Sequence, residues 1–341
     1  MPRFFIICSL LIGMFFFVSC SSEEKTAYSK SKNLSVLTTV DPIADLVEKI
    51  GGTRVEVSVL VPAGREPETF TPSPMRIAEL TKNRLFFRVG LVSEETFLPK
   101  LQTNAPDMKI VDLREGVALL EDHCGHDHAD HDHSHHAEPA NSKDQSDHAK
   151  SEDHADHDHA DHEHSDHDEE ARKIPEGDYC GSNGMDPHIW MSPEVLKGMI
   201  VRIAEVLSEM DPEGRAMFEK NRDLLDQELI RLQKEIHEKF KGLSSKIILV
   251  FHPAYGYFCR EFGLEQLAIE TGGKAPRPQD LVSWITTVNE RKLKKIIVQP
   301  EFNRNSAKAI VDPLKIQMAD HSPLKKDVLE SIRELAEIIE K

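Results

Sequence analysis

Short apolar runs alternate with amphipathic stretches through residues 32–112. The strand-like apolar runs cover residues 34–40, 55–61, 85–89 and 109–111. Stretches with helical spacing, such as 43–50 and 75–82, separate these runs. Because strands and helices that alternate along a chain form parallel βαβ units, this region predicts one α/β lobe.

A second alternating region follows residue 245. Its strand-like runs cover residues 247–251, 267–269 and 296–298, and a last helix is predicted over residues 323–340. The fold class predicted for the chain is therefore α/β, with two similar lobes built on parallel sheets.

The region between the two lobes has the spacing of one long helix. Its apolar positions lie seven, four, three, four and four residues apart, at Phe218, Leu225, Leu229, Leu232, Ile236 and Phe240. This spacing places them on one helical face, and such a helix would extend ~45 Å and join both lobes. We therefore predict an N-terminal lobe over residues 34–210, a linking helix over 211–241 and a C-terminal lobe over 242–341.

The start of the chain has the pattern of an export signal. Fifteen residues, almost all apolar, occupy positions 4–18 after Arg3 and precede small residues. Such a run is shorter than the roughly 20 residues that cross a membrane, and Cys20 stands where a lipoprotein signal has its lipidated cysteine. We expect a signal peptide over 1–20, a lipid on Cys20 that anchors the chain to a membrane, and a flexible tether over 21–33. The expected location is the periplasm or the cell surface.

Acidic residues are concentrated in one segment. The chain has a formal net charge of −17, and residues 121–170 contain 18 Asp and Glu against two Lys. The remainder of the chain is therefore close to neutral. Because binding to phosphate backbones needs an excess of basic residues, we exclude nucleic acid as a partner.

The same acidic segment contains 14 of the 18 histidines. Imidazole and carboxylate are both ligands for zinc and its neighbouring transition metals, so the insert 121–178 indicates metal binding. With few apolar residues, it is expected to be disordered without metal and to buffer ions rather than select one. Cys124 and Cys180 bracket the insert, and a disulfide between them would close its base.

Four histidines lie outside the insert. His252 comes directly after the apolar run 247–251, which is predicted to be a strand. Open α/β sheets bind ligands at the carboxyl ends of their strands. His188 lies on a loop before a predicted helix, His237 lies on the solvated face of the linking helix, and His321 fits either a ligand or a structural role. Spacing alone does not identify a selective site among them.

Five short motifs carry a resemblance to a known family. They are VPAG at 61–64, DPHIW at 186–190, HPAYGYF at 252–258, GGKAPRP at 272–278 and QPEF at 299–302. Together they resemble the ZnuA-type substrate-binding lipoproteins of zinc and manganese ABC importers, from about Val36 onward, and the insert lies where zinc-type members have theirs. The resemblance implies an exported protein with a metal site in the cleft between two lobes.

The resemblance also implies four metal ligands. Two of the family's histidine ligands correspond to His188 and His252. The loop that carries the family's remaining histidine contains Glu68 instead. The acidic fourth ligand corresponds to Asp320, with Asp312 and His321 as alternatives. The predicted metal-binding residues are therefore Glu68, His188, His252 and Asp320.

The ligand set and the insert give different indications of the metal. Two histidines with two carboxylates resemble the manganese or iron members, because oxygen ligands favour harder ions, whereas the His-rich insert resembles the zinc subgroup. We predict Zn²⁺ as the bound ion, with Mn²⁺ as the alternative.

The predicted function is capture of that ion outside the cytoplasm by a monomeric binding protein, which delivers it to an ABC permease and its ATPase. The alternative functions are a manganese- or iron-binding importer component and a metal buffer or adhesin that acts without an importer. An enzyme is not expected, because the sequence contains no His-Glu-x-x-His, no Gly-x-Ser-x-Gly and no phosphate-binding glycine loop.

Overall fold

The computed structural model describes residues 33–121, 181–270, 280–302 and 304–341. Several predicted features lie outside the described residues: the signal peptide, the tether up to residue 32, Cys20, the insert beyond residue 121, Cys124 and Cys180. These features stay predictions.

The first lobe is built on a sheet of four parallel strands. The strands are β1 (Leu34–Thr38), β2 (Val55–Val59), β3 (Leu85–Arg88) and β4 (Lys109–Asp112). Their order in the sheet is β2-β1-β3-β4, so the chain first adds β2 on one side of β1 and then crosses over to add β3 and β4 on the other side. Such a reversal opens a crevice at the carboxyl ends of the two central strands, where sheets of this kind bind ligands.

The second lobe repeats this arrangement. Its strands are β5 (Ile247–Val250), β6 (Glu265–Ala268), β7 (Lys295–Val298) and β8 (Gln317–Asp320). All pairs are parallel, and the order is β6-β5-β7-β8. Two parallel sheets with intervening helices confirm the predicted α/β class. The apolar pattern did not indicate β8, which is an edge strand with polar residues at both ends.

Helices connect the strands and cover the sheets. They are α1 (Asp41–Gly51), α2 (Pro74–Leu80), α3 (Val92–Asn104), α4 (Pro193–Met210), α5 (Arg215–Phe240), α6 (Gly256–Phe262), α7 (Asp280–Glu290), α8 (Arg304–Leu314) and α9 (Val328–Glu340). Side-chain caps fix several starts: the Ser192 hydroxyl accepts a hydrogen bond from Val195 N at the start of α4, and Asp327 accepts one from Glu330 N at the start of α9.

Alternating side chains of the strands enter two different layers of core. In β5, Ile248 and Val250 face a central core, whereas Leu249 faces an outer core beneath α7 and α8. In β1, Val36 faces the same central core, and Leu37 faces an outer core beneath α2 and α3. Both sheets therefore pack on one shared central layer.

The long helix α5 runs through this central layer. Its six regularly spaced apolar side chains are all buried, and they belong to the same core cluster as residues of both sheets. The helix packs against α1, α4, α6 and α9. It begins at Arg215, four residues inside the predicted stretch 211–241, because Pro212 lies in a short 3₁₀ turn, Pro212–Gly214, that precedes it.

Among the residues that the structure describes, no helix is long and apolar enough to cross a membrane.

Candidate metal site

His252 lies at the carboxyl end of the central strand β5. Phe251 N donates to Ile297 O, so the ladder with β7 continues to the residue before it. The Gln299 amide then holds the His252 backbone, because its Oε1 accepts from His252 N at 3.3 Å and its Nε2 donates to His252 O at 2.9 Å. These contacts direct the buried imidazole into the cleft.

His188 lies on the connection between the two sheets, just before α4. The Asp186 carboxylate accepts hydrogen bonds from His188 N at 2.9 Å and from the ring Nδ1 at 2.8 Å. The neighbouring Trp190 is fully buried, and its indole N–H donates to Pro323 O at 2.9 Å. Hydrogen bonds therefore fix the loop both before His188, at Asp186, and after it, at Trp190.

Glu68 comes from the first lobe, on the loop that follows β2. Its side chain is 14% exposed. The Glu68 Oε1 atom lies 3.4 Å from His188 Nε2 and 3.5 Å from His252 Nε2. Residues from the first lobe, the connection and the second lobe therefore meet at one point.

The three atoms at this point form a nearly equilateral triangle. The side between the two imidazole Nε2 atoms measures 3.4 Å, and the sides to Glu68 Oε1 measure 3.4 and 3.5 Å. Zinc bonds to nitrogen and oxygen are ~2.0–2.2 Å long, and two such bonds at the tetrahedral angle place their ligand atoms about 3.3–3.6 Å apart. One ion can therefore bond Glu68, His188 and His252 at normal lengths, and within the described ranges these residues form a group able to hold a metal ion.

The charges of the three side chains depend strongly on one another. Burial alone would raise the pKa of Glu68, but hydrogen bonds from His188 and His252 hold it well below its usual range. Burial would lower the pKa of His188, but hydrogen bonds to Asp186 and Glu68 raise it to about 9. The pKa of His252 is likewise raised, against burial, by hydrogen bonds to Glu270 and Glu68. Without metal, the carboxylates therefore hold protons on the imidazoles.

Further negative charge lies beside this triangle. Burial and the neighbouring carboxylates of Glu68 and Glu270 raise the pKa of Glu66, while a hydrogen bond from Thr69 lowers it. The Thr69 hydroxyl donates to Glu66 Oε2 at 3.1 Å. A divalent cation would relieve the repulsion among these acidic groups.

The structure does not bring Asp320 to the other three predicted ligands. Asp320 ends the edge strand β8, its side chain is 47% exposed, and its carboxylate accepts from Arg304 Nη1 at 2.8 Å. The alternatives lie elsewhere too. Asp312 is exposed on α8, and buried His321 uses Nδ1 with the Tyr255 hydroxyl at 3.0 Å and Nε2 with Ser331 O at 2.8 Å.

Two functional residues were missed by the sequence analysis. Asp186 contacts the ring of His188, and the Glu270 carboxylate lies 2.7 Å from His252 Nδ1. Asp186 was part of a recognised motif but was given no role. The rule that placed His252 at a strand end applies to Glu270 too, because Glu270 follows the carboxyl end of a strand, two residues after β6.

The described residues at the insert, Glu121 at its start and Gly181 after it, pair with residues of the described fold. Glu121 forms an isolated bridge with Met185, and Gly181 forms another with Leu91. Asp186 N also donates to Leu120 O at 2.9 Å. Glu121 and Gly181, the described residues on either side of the undescribed stretch 122–180, are therefore both bonded to residues of the described fold.

Comparisons with known proteins point to one family. The family model described as zinc-uptake complex component A, periplasmic (ZnuA) matches residues 36–337. A zinc-binding lipoprotein, AdcA, of Streptococcus pneumoniae is 24% identical over 322 residues, which cover 94% of this chain and 54% of the relative. The chain thus spans about half the length of that relative. The high-affinity zinc uptake system protein ZnuA of Bacillus subtilis is 24% identical over 337 residues, covering 95% and 89% of the two chains.

Solved structures agree with this result. A crystal structure of ZnuA superposes with a TM-score of 0.70 at 27% identity, and the match covers 91% of this chain and 98% of that one.

Zinc affinity should rise with pH through the range in which His188, with a pKa of about 9, and His252, whose pKa is also raised, lose their protons. An ion can bond Nε2 only after the proton held there has left, so binding near neutral pH should release protons to the buffer. Calorimetric titration with zinc in buffers of different ionisation enthalpy measures this release. The Glu68→Gln variant has no negative charge to hold protons on the imidazoles, so it should release fewer protons than wild type when zinc binds. Equal proton release by the two proteins would contradict the assignment of Glu68 as a neighbour of both imidazoles.

Proposed function

The chain belongs to the family of periplasmic zinc-uptake component A proteins, and on that premise we propose that it captures a zinc ion outside the cytoplasm for an ABC-type importer. The observation that carries this proposal is the triangle of Glu68 Oε1 and the two Nε2 atoms of His188 and His252. The spacing of these atoms suits one ion. The two imidazoles are buried, each with a carboxylate at its Nδ1 atom, and the Glu68 side chain is 14% exposed. The ion is the cargo of the protein.

The geometry favours zinc over manganese. Ligand atoms 3.4–3.5 Å apart suit the tetrahedral angle of zinc. Manganese prefers octahedral oxygen sites, whereas two of the three ligand atoms here are imidazole nitrogens. Two imidazoles and one carboxylate leave one tetrahedral position for a water molecule or a further side chain.

Delivery to a permease and its ATPase is part of the same proposal. The family model describes a component of an uptake complex, and a relative is named a lipoprotein, which supports the expected lipid on Cys20. We propose that the protein acts as a monomer, anchored to the membrane, and carries the ion without chemical change. Burial of His188 and His252, each 3% exposed, suits the holding of an ion better than access by an organic substrate.

Zinc binding by full-length protein tests the site. His252→Ala removes one of three ligands and should weaken the tightest zinc binding by more than about 100-fold, beyond the cost of losing a supporting contact. Competition with a chelator of known affinity measures the dissociation constant of the tightest zinc site. It also separates this site from weaker binding by the insert. His237→Ala, which alters an exposed histidine of α5, is the control. Equal affinity in wild type and His252→Ala would place the tightest site elsewhere.

Delivery is tested in the cells that make this protein. A strain without the gene should take up radioactive zinc slowly at low external zinc, and wild type should restore uptake. The His252→Ala protein should not, whereas His237→Ala should. Normal uptake in the deletion strain, at external zinc below the affinity of the purified protein, would contradict a role in import.

Replacement of Glu68 by His should increase the preference for zinc over manganese. Imidazole is the softer ligand, and removal of one negative charge penalises the harder manganese ion more than zinc. Paired titrations of wild type and Glu68→His with both metals give the ratio of affinities. An unchanged ratio would show that Glu68 does not bond the ion.

A further inference from the structure

Each imidazole of the candidate site is held from behind by a buried carboxylate. Asp186 Oδ1 lies 2.8 Å from His188 Nδ1, and Glu270 Oε2 lies 2.7 Å from His252 Nδ1. Asp186 is 6% exposed and Glu270 is 4% exposed. We propose that Asp186 and Glu270 are positioning residues that direct both Nε2 atoms at one ion. This inference rests on the proposed capture of zinc.

The chemistry of imidazole explains how a carboxylate can do this. A neutral imidazole has one N–H donor and one acceptor nitrogen, and an ionised carboxylate only accepts. A carboxylate at Nδ1 therefore keeps a proton on that nitrogen, so Nε2 is the nitrogen left to bond a metal once its own proton has been released. His188 and His252 both have this arrangement, so both rings turn Nδ1 to a carboxylate and Nε2 towards Glu68.

The Asp186 carboxylate is itself firmly placed. Its Oδ1 accepts from both the ring and the backbone N–H of His188, so the ring is fixed relative to its own main chain. The Tyr257 hydroxyl donates to Asp186 O at 2.7 Å. Oδ2 faces Gly256, where an added Cβ would lie only 2.7 Å from it. The absence of a side chain at Gly256 therefore leaves the space that the Asp186 carboxylate occupies.

Glu270 is placed by the second sheet. Glu270 N donates to Phe251 O at 2.9 Å, which extends the pairing of β5 and β6 to the residue before His252. The two interacting side chains thus extend from the ends of adjacent strands. The ring of Phe302 packs 5.1 Å from the ring of His252, centroid to centroid. This aromatic contact restricts the tilt of the imidazole, while the Glu270 carboxylate fixes its rotation.

Substitutions of Glu270 test the proposal directly. In Glu270→Ala the imidazole loses its acceptor, and zinc affinity should fall about 10- to 100-fold. Glu270→Gln keeps an acceptor oxygen at the same place and should recover most of that loss. Glu265→Gln, at the exposed first residue of the strand β6 that precedes Glu270, is the matched control. Chelator competition with full-length protein gives the affinities.

The visible absorption of bound Co²⁺ is a readout that a general loss of stability would not move. Its band positions depend on ligand geometry, so they should shift in Glu270→Ala and return towards the wild-type positions in Glu270→Gln.

A second variant tests Asp186 without altering any polar group. Gly256→Ala should push the Asp186 carboxylate away from His188 and weaken zinc binding. Gly198→Ala is the control, because a Cβ on that helical glycine meets nothing within 4 Å. This pair keeps the test decisive if Glu270→Ala does not fold.

The possible results separate the two proposals. Wild-type zinc affinity in Glu270→Ala and in Gly256→Ala would overturn the positioning role, even if His252→Ala binds weakly. Failure of wild-type protein to bind zinc tightly would instead overturn the proposed function. Weaker binding in Glu270→Ala, with recovery in Glu270→Gln and a shifted Co²⁺ spectrum, would support the positioning role.

Discussion

The structure depends on one constraint: both sheets bury a face against the same central layer of helices. Side chains of β1 and β5 enter one continuous core, and α5 passes through it with Phe218, Leu229 and Phe240 buried. Native cores pack at crystal-like density and deform little. The shared layer therefore fixes the carboxyl ends of the two sheets relative to each other, and Glu68 and His252 reach one point from opposite sides.

That point concentrates charge in a region with little water. Burial of an unpaired carboxylate costs several kcal/mol, and here Glu68 is stabilised by two imidazoles that each contact a second carboxylate. Protons balance these charges in the metal-free protein. A divalent ion brings the same two positive charges as the two protons that it displaces, and it accepts electron pairs from all three atoms at once. The same contacts that make the metal-free site tolerable therefore make it receptive to a cation.

The sequence predicted the parts of this arrangement that depend on local pattern. The apolar runs located seven of the eight strands in the described part of the chain, and they placed His252 at a strand end, where the family resemblance then assigned it as a ligand. The role of Glu270 depends on which strand lies beside β5, and the order β6-β5-β7-β8 cannot be read from an apolar pattern. Asp320 matched the family's position by chain distance, but chain distance does not give the direction of a side chain at the end of an edge strand.

The site also shows why ligands from separate segments are an advantage. Ligands on one flexible loop would have to be ordered when the ion binds, and that ordering reduces affinity. Here His188 and His252 are ordered during folding, by Asp186 and by the end of the second sheet. The conformational cost is therefore met by the free energy of core packing, before any ion arrives. It follows that part of the affinity for the ion originates in the apolar layer around α5, which also contains Ile189 and Trp190 beside His188.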